Sequence, residues 1–423
     1  MGAEGFIGRP VAAALRSAGH EVVIGGRPRS RNRSVAPFVP CDFSRDLDPS
    51  DWEGRLTDID AVVNCVGILR EAGDNTFERI HVQGPTALFE ACARAGVRRV
   101  IQVSALGPPQ VGEYLASKHR GDEALARRDL DWTILRPSLV FSPRGSYGGT
   151  SLLRALAALP GMILLPGNGA QRIQPICAED LGRLVVQLLN NKSGVKQIVE
   201  AVGPQSITLR DYLVALRCWL ELPPAQLIRV PALIVQGIAW LGERLGNGPL
   251  GLTMWRMLQW GNVGTSGSEE IVASLLGRRP ASVPEAFEAE PSFVQDRWHA
   301  RLYFLGPALR IAIALLWIAS GCVGFLTPLP VSRALLMGAG IPEGASTFLV
   351  WIASSVDILL GVLALLAWHI EVVAALMLAS LAVYTLWLGV SFPVAWLEPF
   401  GGLLKNVVLL PAVLVMAVLS RRR

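Results

Sequence analysis

Residues 1–10 read MGAEGFIGRP, and this stretch decides the fold. Gly2, Gly5 and Gly8, with Phe6 and Ile7 between them, have the spacing of a turn that brings backbone amides up to a pyrophosphate at a helix N-terminus. The strand that ordinarily feeds such a loop is missing from the sequence, which leads us to expect a start site further upstream. In a doubly wound sheet that strand is the central one, so its loss predicts a gap between its two neighbours.

Outward from the loop the chain alternates. Residues 9–18 suit a helix, HEVVIGG (20–26) a strand, DAVVNCVGI (60–68) a strand, GPTALFEACARAG (84–96) a helix, and VRRVIQVSALG (97–107) a strand. LDWTILRPSLVF (130–141) adds a strand ending in Arg136-Pro137. This pace predicts a parallel sheet with crossover helices. From about Gly145 to His299 the pattern loosens into short helices and Pro/Gly-rich turns, as a small lobe would.

The chain of 423 residues is 51% apolar and 17% charged, and the excess of apolar residues lies at the end. From Arg301 onward there are 7 Lys+Arg and 4 Asp+Glu, which leaves 32 and 30 before it, so the front is nearly neutral and no nucleic-acid partner is indicated. The six cysteines form no CxxC pair and the five histidines show no ligand spacing, so neither a disulfide framework nor a metal site is expected. The first residues include no apolar run of the signal-peptide kind, so the front domain is expected in the cytosol.

Leu305–Leu326, Thr347–Trp368, Val372–Ser391 and Leu403–Leu419 are four apolar runs, three of them close to the ~20 residues that a bilayer-spanning helix needs. Arg297 and Arg301 precede the first and Arg421, Arg422 and Arg423 follow the last, so both termini are expected on the cytoplasmic side of an inner (plasma) membrane. Asp357 falls near the middle of its run, where a lone carboxylate is costly, and Arg310 is the nearest candidate partner.

Four features suggest chemistry. The cluster GGRPRSRNRS (25–34) follows the second predicted strand; Arg27, Arg29, Arg31 and Arg33 stand where enzymes using NAD place an acid, which favours the 2′-phosphate of NADP, with NAD possible, over the alternative of a solvated arginine-rich surface loop. Asp42 and Phe43 fall where a carboxylate could meet an adenine amino group, and Asn64 to Gly67 close the next strand where small residues let the backbone lie against a dinucleotide, with Pro137 at the end of a later strand; a turn or core role accounts for the first two stretches almost as well. Tyr114 and Lys118 are four apart and share a helix face, while Ser104 ends a strand just before them. A tyrosine acid/base, an ammonium that lowers its pKa and a serine that holds a carbonyl form one reaction set. Finally VPALIVQGIAWLGERLG (230–246) reads either as a buried helix of the lobe or as one lying on a membrane surface.

Taken together, GAEGFIG, VNCVGI, VSALG, YLASKHRGDEAL, LDWTILRPSLVF and RIQPICAEDLGRLV resemble the short-chain dehydrogenase/reductase superfamily. Within it they are similar to the extended and atypical proteins related to the nucleotide-binding accessory subunit of respiratory complex I, over about residues 1–290. From about residue 300 the chain resembles the DoxX-like four-helix membrane domain. The resemblance implies an α/β Rossmann domain over 1–145, a substrate lobe over 146–299 and an all-α four-helix transmembrane domain over 300–423. It also implies phosphate binding at Gly2, Gly5 and Gly8 and catalysis by Ser104, Tyr114 and Lys118. The expected activity is oxidoreduction of a hydrophobic carbonyl, alcohol or quinone-like molecule at the lipid bilayer; the alternative is a non-catalytic nucleotide-binding or assembly factor of a membrane redox complex. The sequence departs from that family at Glu4, where Thr or Ser is favoured, and at His81, where Asn is frequent.

Overall fold

Alternating strands and helices place the apolar runs of residues 1–201 in a parallel sheet. The computed structural model describes residues 1–27, 37–191, 194–245, 251–397 and 403–420. After the glycine loop come α1 (Gly8–Ser17), β1 (Ile24–Gly26), β2 (Phe38–Pro40) and β3 (Ala61–Asn64). A π-helical turn, Glu78–Gln83, leads into α2 (Gly84–Ala95), followed by β4 (Arg99–Val103), α3 (Glu113–Ala126) and β5 (Asp131–Pro137). Further on, α4 (Ala178–Asn190) and β6 (Gln197–Ala201) return to the same sheet. The strands beginning at Ile24 and Ala61 are shorter than their apolar runs, at three and four residues.

The sheet is divided. β6, β5, β4 and β3 pair in that order, in parallel, while β1 and β2, among the described residues, form a separate parallel pair. The expected gap lies between β1 and β3, and Met1 and Gly2 bridge it. The Met1 ammonium donates to the Val63 carbonyl at 2.7 Å, Cys65 N–H donates to Met1 O at 3.1 Å, and Gly2 N–H donates to Gly25 O at 3.0 Å. These bonds satisfy backbone groups that would otherwise be unpaired.

Two apolar clusters flank the sheet. Val11 and Leu15 of α1 meet Leu181, Leu184, Val185 and Leu188 of α4 on one face; Trp52, Leu88, Phe89, Val100 and Ile134 join across the other. The close approach of α1 and α4 requires glycine at 182, where a Cβ would lie 2.9 Å from Pro10 O. The lobe has its own core of Phe141, Tyr212, Leu216, Trp219 and Phe287, and a parallel strand pair, Met162–Pro166 with Gln226–Val230.

The chain divides into two compact units, Met1–Ala300 and Arg301–Arg423. Among the described residues three helices, Val294–Leu326, Glu343–Leu365 and Ile370–Ser391, are long and apolar enough to cross a membrane. The fourth apolar run becomes Leu404–Ser420, a helix of 17 residues, and a short helix at Leu329–Gly338 stands between the first two spans. Trp317, Leu360, Ala364, Val373, Met377, Val413 and Met416 make the core of the second unit. The partner of Asp357 is Ser320, whose hydroxyl donates to Oδ2 at 3.0 Å, rather than Arg310. Arg310 stands about 15 Å further back along the same helix at 1.5 Å per residue, too far to reach the level of Ser320.

Candidate functional site

The glycine loop closes tightly on itself. Gly2 has φ +72°, and Gly5 N–H donates to Gly2 O at 3.0 Å. A Cβ on Gly8 would lie 2.1 Å from Gly2 O, so the first residue of α1 must be glycine for the turn to form. Phe6 and Ile7 turn their side chains onto the α1/α4 core, leaving their backbone in the turn before α1, where amides address an anion. This close-packed cradle fits the pyrophosphate of a dinucleotide. The carbonyl of Glu4 accepts from Arg9 Nε at 3.0 Å.

Arg27 is exposed, directly beyond β1, whereas Arg29, Arg31 and Arg33 lie outside the described residues. The Asp42 carboxylate accepts from the amide of Ser44 at 2.9 Å and from its hydroxyl at 2.7 Å. Burial pushes its pKa up, and those two bonds with the charges of Arg27 and Arg45 bring it below the ordinary value on balance. Phe43 is buried against Trp52, ring centroids 5.1 Å apart, so what it can offer an adenine is backbone. Asn64 is fully buried: its amide nitrogen donates to Gln102 Oε1 at 2.8 Å and its oxygen accepts from Val66 N–H at 3.0 Å. It therefore shapes the turn after β3. Pro137 is buried at the end of β5, and its carbonyl accepts from Leu106 N–H at 3.1 Å.

Ser104 and Lys118 stand where β3 and β4 end. Lys118 on α3 is buried, and its ammonium donates to Val66 O at 3.2 Å and Val103 O at 3.4 Å. Gly67 makes room for it, since a Cβ there would lie 2.8 Å from Nζ. Burial lowers Lys118 to about 8 against the pull of Asp122 and Cys65. Tyr114, one turn earlier, packs edge-on against Phe77 and His81 at 6.1 and 5.6 Å. Burial raises its hydroxyl to about 12, and the Lys118 ammonium is held toward the two strand-end carbonyls.

Ser104 has a partner that the sequence reading missed. Its hydroxyl donates to Asp122 Oδ2 at 2.9 Å, and the same oxygen accepts from Arg136 Nε at 3.0 Å and Nη2 at 2.9 Å. Burial raises the Asp122 carboxyl, opposed by Arg136, Ser104 and Lys118. The available signal was spacing, because Tyr114, Lys118 and Asp122 are each four apart on one helix face. His81 was named only as a departure. Its Nε2 accepts from Ile68 N–H at 3.0 Å, which leaves Nδ1 protonated to donate to Ser117 Oγ at 2.9 Å, and Ser117 Oγ donates to Tyr114 O at 2.9 Å. Burial, with Lys118 next, lowers His81 to about 2, so it stays neutral. It lies within the π-helical turn, and its carbonyl passes so close to α3 that a Cβ on Gly121 would be 2.1 Å away.

The buried Lys118 makes stability depend on pH. Its folded pKa lies below the unfolded value of 10.5, so the unfolded chain binds more protons between the two and stability rises with pH from about 8 to 10.5. Thermal unfolding at pH 7.5 and 9.5 should show this increment in the wild type and not in Lys118→Met; an equal increment in both would remove Lys118 as its source.

This geometry defines a dinucleotide-binding Rossmann domain followed by an apolar helical domain. In agreement, residues 2–154 match an NAD(P)H-binding family model and residues 314–414 match the DoxX-like family. The chain thus joins an NAD(P)-binding Rossmann domain to a DoxX-like membrane domain. It is 28% identical over 221 residues to the mitochondrial NADH-ubiquinone oxidoreductase 40 kDa subunit of Neurospora crassa, covering 50% of this chain and 56% of that one. It is also 28% identical over 198 residues to a ceramide reductase of Caulobacter vibrioides, covering 44% and 58%. The chain therefore spans little more than half of each of these relatives. Among solved structures, an NADPH-dependent quinone oxidoreductase of Escherichia coli shares the fold, with TM-score 0.51 and 16% identity over 68% of this chain and 97% of that one.

Proposed function

We propose that the chain is a membrane-anchored, NADP-preferring oxidoreductase of the short-chain dehydrogenase/reductase type that reduces a lipid-soluble carbonyl. The observation that carries this reading is an apolar surface beside the reaction set. In the helix Ala232–Leu245, Val235 and Ala239 are buried against Trp255, while Leu233 (82%), Ile234, Ile238, Trp240 and Leu241 are exposed. It is tied to the site side of the sheet: Arg70, beyond β3, donates to Gly242 O at 2.9 Å, and Trp260 of the helix that follows packs 3.5 Å from where a Gly107 Cβ would stand. Such a face suits a substrate that arrives from lipid. Two relatives carry names that point the same way, one ubiquinone and one ceramide.

Bound NAD(P)H would supply a hydride, held by the glycine loop and, through its 2′-phosphate, by Arg27 and its neighbours. Tyr114, whose hydroxyl keeps its proton far above neutral pH, gives that proton to the oxygen of the reduced carbonyl. Lys118 holds the ends of β3 and β4 in place, and its partial positive charge favours the developing oxyanion. Asp122 and Arg136 fix the Ser104 hydroxyl. The Rossmann domain and the C-terminus face the cytoplasm, at a plasma membrane.

A second reading, a nucleotide-binding subunit of a membrane redox complex, is favoured by the Ser104–Asp122 bond, which holds the serine hydroxyl away from a substrate. One experiment separates the two. The full chain in lipid nanodiscs is titrated with NADPH and NADH, then supplied with a long-chain quinone or ketone. Tighter NADPH binding with turnover supports the enzyme, and Leu233→Glu with Ile238→Glu should then raise KM about tenfold, a loss of roughly 1.4 kcal/mol of substrate binding, without changing NADPH affinity. Binding without turnover on any lipid-soluble carbonyl supports the subunit.

A further inference from the structure

We infer that the helix Ala232–Leu245 docks the lobe onto the headgroup layer of an anionic lipid bilayer, as an attachment separate from the apolar spans. At about 100° per residue, Leu233, Ile234, Ile238, Trp240 and Leu241 sweep an arc of roughly 160°, and all five are exposed. Gly237 lies inside that arc, where an added Cβ would meet nothing within 4 Å. Val235 and Ala239 point the other way and already pack against Trp255. The helix is thus apolar on two opposite sides, and folding of the lobe uses one of them. A contiguous apolar face left outside marks a surface for a partner or a membrane.

Charge and aromatic placement choose the occupant. Arg244 stacks over the Trp240 ring, 4.3 Å from its centroid. In a bilayer interface such a pair puts the indole at the acyl boundary and the guanidinium among the phosphates. Arg229 and Arg256 are exposed on the strand Gln226–Val230 and the helix Leu252–Trp260, whose Val230 and Trp255 pack with Val235 and Ala239. Glu243 is the one acid of the docking helix, and its carboxylate accepts from Leu252 N–H at 3.3 Å. Three cations against one acid around an apolar face complement anionic headgroups. An isologous contact with a second copy would instead set this cationic group against itself.

Chain continuity supplies the proximity. Ala300 lies in the lobe core, and the helix that holds it, Val294–Leu326, is long and apolar enough to cross a membrane. The docking partner is therefore a surface that the chain itself reaches. This attachment does not rest on the reduction proposed for Tyr114 and Lys118, since a domain that binds nucleotide without turnover would dock equally.

The test places an environment-sensitive NBD fluorophore on Leu233→Cys of the full chain, with Cys218→Ser and Cys322→Ser removing the exposed native thiols. It is read in nanodiscs that carry doxyl-labelled phosphatidylcholine. Quenching should exceed that at Asp129→Cys, an exposed position ahead of β5, by about threefold or more, because an interfacial helix lies ~5–10 Å into the headgroup and acyl boundary. It should fall when about 30% phosphatidylglycerol is replaced by neutral lipid, and likewise when Arg229→Glu, Arg244→Glu and Arg256→Glu are combined. Equal quenching at positions 233 and 129 would mean that the face meets water. Blue-shifted emission at 233 without lipid quenching would mean that a protein surface covers it, and quenching indifferent to phosphatidylglycerol and to the arginines would remove the anionic partner. Each of these three results overturns the inference. The readout requires neither nucleotide nor substrate, so its failure leaves the proposed oxidoreduction to the turnover assay.

Discussion

Gly8→Ala is expected to weaken NADPH binding by roughly 10- to 100-fold, since forcing a carbon into a close-packed loop costs about 1–3 kcal/mol and about 1.4 kcal/mol is a factor of ten. The added Cβ would stand 2.1 Å from Gly2 O and 2.8 Å from Ala3 Cα, both backbone atoms with no side-chain freedom to yield. The loop would have to open, carrying the amides of Phe6 and Ile7 away from the phosphates. Gly54→Ala is the control, for its Cβ meets nothing within 4 Å and its φ is −71°. Titration of both variants with NADPH decides the matter: unchanged affinity in Gly8→Ala would mean that the dinucleotide does not use this loop.

Tyr114→Phe should lower kcat by about 10²–10⁴-fold, the usual range for loss of a general acid, while NADPH affinity stays within about twofold because binding and proton transfer are separate contributions. The substitution keeps the ring against Phe77 and His81, so the fold around it is retained. The pH profile gives a second test. A hydroxyl raised to about 12 remains a proton donor across the physiological range, and the wild-type rate should not fall through tyrosine ionisation below pH 10. Equal turnover by wild type and Tyr114→Phe would remove Tyr114 from the reaction and favour the subunit reading.

The glycine loop, the alternation of strand and helix, the Tyr114–Lys118 spacing and the apolar spans were all legible in the sequence, because each is a local pattern set by backbone geometry or side-chain period. The division of the sheet into a β1–β2 pair and a four-stranded part was expected from the sequence as well. The interactions of the candidate site were not. Ser104 and Asp122 are joined across 18 residues, Arg136 enters from another strand, and His81 meets Ile68 through a π-helical turn that no composition announces. In the helical unit Asp357 was conspicuous as an isolated charge, yet its partner turned on which glycines let two helices touch, and that choice fell on Ser320. Periodicity tells a chain which face to bury; which polar groups then meet on that face is decided only when distant elements pack, because a hydrogen bond is satisfied or lost within a few tenths of an ångström.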